Sequence, residues 1–151
     1  MKKRIIALGL LWCLSAVMLQ AARVDTVLVR SAAMNKDVKV VYVLPDKAIG
    51  KQACPVVYLL HGYGGNARSW VQLKPELPQM ADEKGIIFVC PDGKNSWYWD
   101  SPENPAYRYE TFVTSELVKY TDGNYATIPD RKARAISGLS CLLYTSPSPR
   151  D

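Results

Sequence analysis

The sequence predicts an α/β fold built on a mostly parallel sheet, with an antiparallel pair of strands at its start. Two short and almost wholly apolar segments, 55–60 and 85–90, have the composition of strands buried on both faces. Stretches of helical character follow each of them, and this alternation is typical of parallel βαβ units. The chain has 151 residues, 48% hydrophobic and 22% charged, which is the composition of a globular protein.

Turn residues and periodicity define the other elements. Two β-rich segments before residue 45 are predicted to pair antiparallel, and two prolines divide the first helical stretch into two short helices. A long aromatic loop and an amphipathic helix precede a third short parallel strand. In chain order the predicted elements are strands 24–30 and 38–44, a polar loop over 45–53, helices within 67–85, the loop 91–105, a helix over 107–120 ended by residues 122–124, and a strand over 134–136.

The first 22 residues are expected to be a secretory signal peptide. Basic residues at positions 2–4 precede an apolar run over 5–19, and small residues suited to cleavage follow it. A membrane anchor is the weaker alternative, because the apolar run is shorter than the ~20 residues that span a bilayer. We therefore expect export to the periplasm or the cell exterior, without stable membrane insertion after cleavage.

The charge of the chain gives no reason to expect nucleic acid as a partner. The formal net charge is +5, and removal of the signal peptide would lower it by three. The remaining basic residues do not cluster in the sequence as a phosphate-binding face does. A nucleic-acid-binding protein is therefore excluded from the candidate classes.

Cys54 and Cys90 lie in the body of the chain and are expected to be buried free thiols. Export would permit a disulfide. However, Cys54 begins one apolar strand and Cys90 ends another. If these strands are parallel neighbours, the sulfurs lie on the order of 15 Å apart, whereas bridged Cα atoms are at most ~7 Å apart.

The segment after the first parallel strand has a composition suited to binding an oxyanion. His61 and the glycines Gly62, Gly64 and Gly65 follow that strand at the carboxyl edge of the sheet, where open α/β folds bind ligands. Glycines let backbone N–H groups face a ligand, and in acyl transfer such groups stabilise the negative oxygen of the tetrahedral intermediate. Taken alone, a plain glycine turn explains the segment equally well.

His61 is the only histidine in the chain, which makes it the first candidate for a general base. It precedes the glycines instead of lying on a loop of its own, from which a base reaches its nucleophile. We therefore expect His61 to brace the glycine loop through hydrogen bonds.

A second segment with catalytic character, Ser137-Gly138-Leu139-Ser140, follows the third parallel strand. It is the first half of the G-x-S-x-G nucleophile elbow, a strained turn that exposes the serine hydroxyl. The fifth position, where a small residue is expected, holds Leu142. Half of this motif is weak evidence by itself, but the upstream glycine segment supplies the oxyanion donors that a nucleophilic serine needs.

Four segments together resemble the amino-terminal half of the esterase D family of α/β-hydrolases. This family includes S-formylglutathione hydrolases, bacterial acyl and feruloyl-type esterases, and mycolyltransferases. The matching segments are LLHGYGGN at 59–66, NSWYWDSP at 95–102, YETFVTSELVKY at 109–120 and RAISGLS at 134–140. The resemblance implies an α/β-hydrolase fold and a small-molecule or carbohydrate-linked ester as substrate, with no cofactor and no metal.

The resemblance also assigns roles to individual residues. It implies that Ser140 is the nucleophile and that the backbone N–H groups of Tyr63 and Cys141 form the oxyanion hole. Three side chains are implied to shape the wall beside the acyl site: Trp97, Tyr98 and Asp100. Structural packing is the alternative explanation for these three.

Residues 141–151 depart from the family pattern. Pro147 and Pro149 would stop the helix that follows the serine in the family, and the family's acid and histidine come later in the chain. We interpret residues 1–22 as a signal peptide, 23–140 as a truncated α/β-hydrolase domain and 141–151 as a foreign tail. This copy is accordingly expected to be inactive or nearly so.

These observations favour a secreted serine carboxylesterase that works through an acyl-enzyme. Two alternatives stay open. One is acyl transfer to a sugar acceptor, which shares the acyl-enzyme. The other is a non-catalytic pseudo-hydrolase or carbohydrate-binding domain that uses the aromatic rings of residues 97–99 as a platform.

Overall fold

The computed structural model describes residues 22–140, which form one sheet with the strand order β1-β2-β4-β3-β5. The strands are β1 (Arg23–Ser31), β2 (Lys36–Leu44), β3 (Val56–Leu60), β4 (Ile87–Pro91) and β5 (Arg134–Gly138). The helices are α1 (Asp46–Ile49), α2 (Ser69–Leu73), α3 (Leu77–Lys84), α4 (Tyr109–Thr111) and α5 (Leu117–Asn124). A π-helical turn (Phe112–Glu116) joins α4 to α5, and a 3₁₀ turn (Arg131–Ala133) precedes β5.

The pairing of the strands confirms the predicted class. β1 pairs antiparallel with β2, and β2 pairs antiparallel with β4. β3 lies between β4 and β5 and is parallel to both. The result is an α/β sheet whose parallel strands are preceded by an antiparallel pair.

The parallel strands β3 and β4 are buried on both faces, as their apolar sequences predict, whereas β5 at the edge of the sheet is mostly half-buried. In β3, Val56 and Tyr58 pack in the core beneath Phe112 of the π-helical turn. The neighbouring Leu59 points to the opposite face and packs in a second core that includes residues of α3. Burying one such aliphatic side chain contributes roughly 1.5–3 kcal/mol, so the two cores hold β3 and its edges in place.

The predicted helices between β3 and β4 are confirmed as two short helices, α2 and α3. Gly85 ends α3 in a left-handed conformation, with φ of +63°. The polar loop predicted over 45–53 contains the short helix α1, which begins after Pro45 and whose Asp46 N–H donates to the carboxylate of Asp82 at 2.8 Å. This contact from α3 is tertiary and is not visible in the local sequence.

The helix predicted over 107–120 begins two residues later and continues to Asn124. The helix thus ends within the segment 122–124 that was predicted to terminate it, and tertiary contacts stabilise its last turns. Buried Thr121 donates to the carbonyl of Leu117 at 2.7 Å, and its hydroxyl lies 2.8 Å from that of Tyr42 on β2. The burial of this turn stabilises the helix by more than the low helix propensity of Gly123 destabilises it.

Cys54 and Cys90 are both buried and free, as predicted. They lie in different cores on opposite faces of the sheet. Residues 1–21 of the predicted signal peptide and the whole predicted tail, 141–151, lie outside the described residues. In the part of the chain that is described, no helix has both the length and the apolar character needed to cross a membrane.

Candidate active site

The glycine loop and the predicted nucleophile leave the sheet at the same edge. β3 and β5 are parallel neighbours in register, with Leu60 opposite Gly138. The N–H of Leu139 donates to the carbonyl of Leu60 at 3.1 Å, which extends the pairing by one residue. A Cβ added to Gly62 would lie 3.6 Å from the Cβ of Ser140, so the loop after β3 packs directly against the serine.

Ser140 has the backbone conformation of a strained turn. Its φ is +63°, in the left-handed region that residues with a side chain rarely adopt, and its side chain is exposed. Such a conformation costs on the order of 1–3 kcal/mol and often occurs at functional sites. The turn directs the residue out of the sheet edge, as a nucleophile elbow requires.

The N–H of Tyr63 is one of two donors, with that of Gly62, that the glycine loop leaves without an acceptor among residues 22–140. The Gly65 N–H donates to the carbonyl of Gly62 at 3.0 Å, and the Gly64 N–H donates to Asn95 Oδ1 at 2.9 Å. Among residues 22–140, no acceptor binds the N–H of Tyr63. This N–H group is the one that the family resemblance implies as an oxyanion donor. The other predicted donor, Cys141, lies outside the described residues.

Gly65 cannot be replaced by a larger residue without moving the loop. A Cβ at this position would lie 2.8 Å from His61 Nδ1 and 2.9 Å from Ser69 Oγ. Both distances are shorter than carbon contacts in folded proteins allow. The glycine therefore serves the close packing of the loop over the histidine.

The His61 side chain is buried beneath the glycine loop and binds backbone groups through both ring nitrogens. Nδ1 lies 2.8 Å from the carbonyl oxygen of Gly62, which only accepts, so Nδ1 carries the proton. Nε2 accepts the N–H of Gly93 at 3.0 Å. The ring is therefore neutral, with neither nitrogen free to take a proton from Ser140.

Asp92 lies beside this ring at the end of β4 and is 5% exposed. Its Oδ1 is 3.6 Å from His61 Nε2, but that nitrogen already accepts from Gly93, so the two side chains form no ion pair. Burial alone would raise the pKa of Asp92. Hydrogen bonds from the backbone N–H and the ammonium of Lys94 outweigh burial and lower the pKa of Asp92 below its ordinary value.

The hydroxyl of Tyr98 holds the backbone of His61 in place. Its hydroxyl donates to the carbonyl of Pro91 at 2.9 Å and accepts the N–H of His61 at 3.3 Å. A Cβ on Gly93 would lie 2.4 Å from the Tyr98 ring, so the tyrosine occupies the space that this glycine leaves. Burial raises the pKa of Tyr98, which keeps its hydroxyl protonated.

Two exposed aromatic rings, those of Tyr63 and Trp97, stack at the glycine loop. Tyr63 is 71% exposed and stacks on Trp97, which is 51% exposed, with ring centroids 5.7 Å apart. The backbone of Trp97 is left-handed, with φ of +57°. Asn95 joins the two loops through its bond to Gly64, which fixes this pair beside the site.

Asp100 lies away from this cluster. Its carboxylate accepts the backbone N–H of Thr111 at 3.0 Å and the Thr111 hydroxyl at 2.5 Å. Burial would raise the pKa of Asp100, but the Thr111 hydrogen bonds lower it below its ordinary value. The Asp100 side chain thus links α4 to the aromatic loop. This is the structural packing role that was the alternative to a role beside the acyl site.

The structure therefore brings most of the predicted site residues together in a narrow crevice, which we call the serine crevice. Its lining residues are His61, Gly62, Tyr63, Lys94, Asn95, Trp97 and Tyr98, and Gly62 also contacts Ser140. Sequence reasoning missed Asp92, Gly93 and Asn95, which hold His61 and Gly64. The sequence signal that could have identified them is Pro-Asp-Gly, a turn-forming segment at the end of a buried strand. This turn lies at the same edge of the sheet as the glycine loop.

Comparison with known proteins identifies a family. The sequence profile of the Esterase family, described as "Putative esterase", matches residues 31–141 of this chain. An acetyl esterase from Caldicellulosiruptor saccharolyticus is 26% identical over 118 residues, covering 73% of this chain and 44% of the relative. A diacylglycerol acyltransferase/mycolyltransferase from Mycobacterium gordonae is 29% identical over 139 residues, covering 83% of this chain and 39% of the relative.

Solved structures share the fold. An S-formylglutathione hydrolase from Agrobacterium tumefaciens superposes with a TM-score of 0.72 at 24% identity, covering 83% of this chain and 52% of that chain. A ferulic acid esterase gives a TM-score of 0.65 at 27% identity, covering 81% of this chain and 50% of that chain. The chain spans less than half the length of the two curated relatives and about half of these two structures.

Proposed function

The chain belongs to the Esterase family, and from this premise we propose that it is part of a serine carboxylesterase whose nucleophile is Ser140. The observation that supports the proposal is the proximity of Gly62 to Ser140 at the carboxyl edge of β3 and β5. A strained, exposed serine thus lies near the glycine loop, in which the N–H of Tyr63 has no acceptor among residues 22–140.

The proposed reaction proceeds through an acyl-enzyme. Ser140 Oγ attacks the carbonyl carbon of an ester and loses its proton to a general base, while the carbonyl oxygen becomes negative. The Tyr63 N–H donates to this oxygen, and the N–H of Cys141 is proposed as the second donor. Collapse of the intermediate releases the alcohol with the proton from the base, and water then hydrolyses the acyl group from Ser140.

The general base is proposed to lie outside residues 22–140. His61 is the only histidine of the sequence, and both of its nitrogens bind backbone groups. Since the chain also spans less than half of its curated relatives, we propose that it is the amino-terminal part of a longer hydrolase. The remaining part would supply the base and the carboxylate that orients it.

The exposed Tyr63–Trp97 pair supports a substrate with a flat or apolar group next to the ester. Two aromatic rings at the edge of the site offer a large contact area with little loss of conformational entropy on binding. The ferulic acid esterase among the similar structures is consistent with an aromatic acyl group.

Export remains part of the proposal and is supported by the basic and apolar start of the sequence.

Acyl transfer is the second candidate function. The relative from Mycobacterium gordonae is named as an acyltransferase, and transfer differs from hydrolysis only in what attacks the acyl-enzyme. Analysis of the products formed with water alone and with a sugar acceptor distinguishes the two. The non-catalytic alternative has less support, because Tyr98 is buried and only Trp97 and Trp99 of the three rings are exposed.

The proposed function is tested on the complete protein that contains this sequence, with 4-nitrophenyl acetate and methyl ferulate as substrates. Hydrolysis that is lost in Ser140→Ala supports the proposal, because removal of a nucleophile costs several orders of magnitude in kcat. Ser137→Ala, a serine on β5, is the matched control and is expected to keep the activity. Full activity of Ser140→Ala would refute the role of Ser140.

A further inference from the structure

The carboxylate of Asp82 on α3 binds two backbone segments that are far from it in the sequence. Its Oδ1 accepts the N–H of Asp46 at the start of α1 at 2.8 Å, and its Oδ2 accepts the N–H of Ala22 at 2.7 Å. Among residues 22–140, no lysine, arginine or histidine side chain forms an ion pair with Asp82. A positive charge at the nitrogen of Ala22 would therefore give this carboxylate a cationic partner.

Ala22 is part of the folded domain. It directly precedes β1 and is 7% exposed. Its side chain packs in the second core, against which Val24 of β1 also packs. Ala22 thus continues the alternation of β1, in which every second side chain faces the same side of the sheet. A residue with these contacts belongs to the fold and not to a segment that is removed from it.

The sequence alone leaves two positions at which the predicted signal peptide can be cleaved. A signal peptidase needs a small residue directly before the cleaved bond, and both Ala21 and Ala22 meet this requirement. Cleavage after Ala22 would remove its side chain from the second core and its N–H from Asp82 Oδ2. Cleavage after Ala21 keeps both contacts, so this position agrees with the fold.

Cleavage after Ala21 also changes the group that faces Asp82. Water adds to the carbonyl of Ala21 and the amide C–N bond breaks, which leaves a carboxylate on Ala21 and an ammonium on Ala22. The N···O distance of 2.7 Å suits an ammonium that donates to a carboxylate, for which ~2.7–2.9 Å is usual. The neighbouring cation, Arg23, does not compete because it pairs with Asp25 at 2.7 Å.

We propose that a signal peptidase cleaves the bond between Ala21 and Ala22, and that the new α-ammonium of Ala22 forms an ion pair with Asp82. The cleaved bond lies one residue before the boundary that the sequence predicts. The pair ties the start of β1 to α3 and, through the second oxygen of Asp82, to α1. The inference rests on export, which is part of the proposed function, and does not depend on the chemistry at Ser140.

The first measurement locates the amino terminus of the complete protein, expressed in a bacterium with its own leader and purified from cells and medium. Its α-amine is labelled before digestion, and mass spectrometry of the labelled peptide identifies the first residue. We expect Ala22. A chain that begins at Arg23 would overturn the cleavage site and leave export intact, whereas a chain that keeps its leader would overturn both.

The second measurement tests the ion pair on the complete protein released from a fusion partner, so that its first residue is either Ala22 or Gln20. The longer form keeps the peptide N–H of Ala22 but moves the positive charge away from Asp82. We expect its equilibrium constant of unfolding in urea to be about threefold larger. Asp82→Asn should abolish this difference. The matched control is Glu83→Gln, an exposed neighbour on α3, which should keep it.

Equal stability of the two forms of the unmodified protein would overturn the ion pair, and this comparison holds even if Asp82→Asn does not fold. A threefold difference that persists in Asp82→Asn would overturn it as well, since the added residues would then act without the carboxylate. Neither measurement involves an ester, so a negative outcome leaves the proposed role of Ser140 standing.

Discussion

Gly62 and Ser140 lie close together beyond the ends of two neighbouring parallel strands. A Cβ on Gly62 would lie 3.6 Å from the Cβ of Ser140, although the two residues are far apart in the sequence. The Tyr63 N–H follows Gly62 directly and has no acceptor among residues 22–140. The sheet thus brings Ser140 and the glycine loop to the same place.

Gly65→Ala is expected to displace the glycine loop. The added Cβ would lie 2.8 Å from His61 Nδ1 and 3.0 Å from the carbonyl oxygen of Gly62, so the loop must shift. Overpacking of this kind costs about 1–3 kcal/mol in the free energy of unfolding, measured by urea denaturation.

The control for this substitution is Gly123→Ala in α5. A Cβ at Gly123 would have no atom within 4 Å, and alanine is the better helix former. We expect no destabilisation in this variant. Equal stability of Gly65→Ala and the unmodified protein would contradict the close packing of the loop.

His61→Ala is expected to reduce stability, because His61 braces two loops. The substitution leaves the carbonyl of Gly62 and the N–H of Gly93 without their ring partners. The Gly62 carbonyl keeps the Gly65 N–H as a donor, so one orphaned N–H and a cavity together cost about 2–4 kcal/mol. A variant with unchanged urea midpoint and lost activity would instead favour a chemical role for His61.

Asp92 is expected to make stability depend on pH in the acid range. Burial would raise its pKa, but the hydrogen bonds from Lys94 lower it below the value in the unfolded chain. A carboxylate whose pKa is lower in the folded than in the unfolded chain stabilises the fold at pH values above the unfolded pKa of about 4. This stabilisation is lost as the pH falls below that value. Asp92→Asn should therefore be less stable at pH 7 and show a flatter decline below pH 4. An identical pH profile for both proteins would contradict the assignment.

Cys90 is expected to resist alkylation in the folded chain. It is 1% exposed, and burial raises the pKa of its thiol to about 12. At pH 8 very little thiolate is present, and the thiolate is the reactive form. Peptide mapping after iodoacetamide treatment should find Cys90 unmodified in the native protein and modified in urea. Rapid modification without urea would show that the second core is open.

The sequence was sufficient for the features that depend on local composition. The apolar runs that became β3 and β4, the prolines that separate α2 from α3, and the glycines after β3 each have a direct physical consequence for the backbone. The contact of the loop with Ser140 also follows from the sequence, since adjacent parallel strands end at one edge.

Features set by distant contacts were not predictable from composition. The position of α4 depends on Asp100, which binds its residue Thr111. The position of the π-helical turn depends on Glu116, whose carboxylate accepts the hydroxyl of Ser31 on β1 at 2.6 Å. The left-handed conformations of Trp97 and Tyr98 are another case, because aromatic residues have no preference for them. Such details arise only when the complete sheet and its loops are assembled.

The central claim is that Ser140 is the nucleophile of an acyl-transfer site. It is tested most directly by treating the complete protein with a fluorophosphonate probe and locating the adduct by mass spectrometry. The account predicts one adduct on Ser140, lost in Ser140→Ala and retained in Ser137→Ala. An adduct on a different serine, or no adduct on a protein that hydrolyses esters, would contradict it.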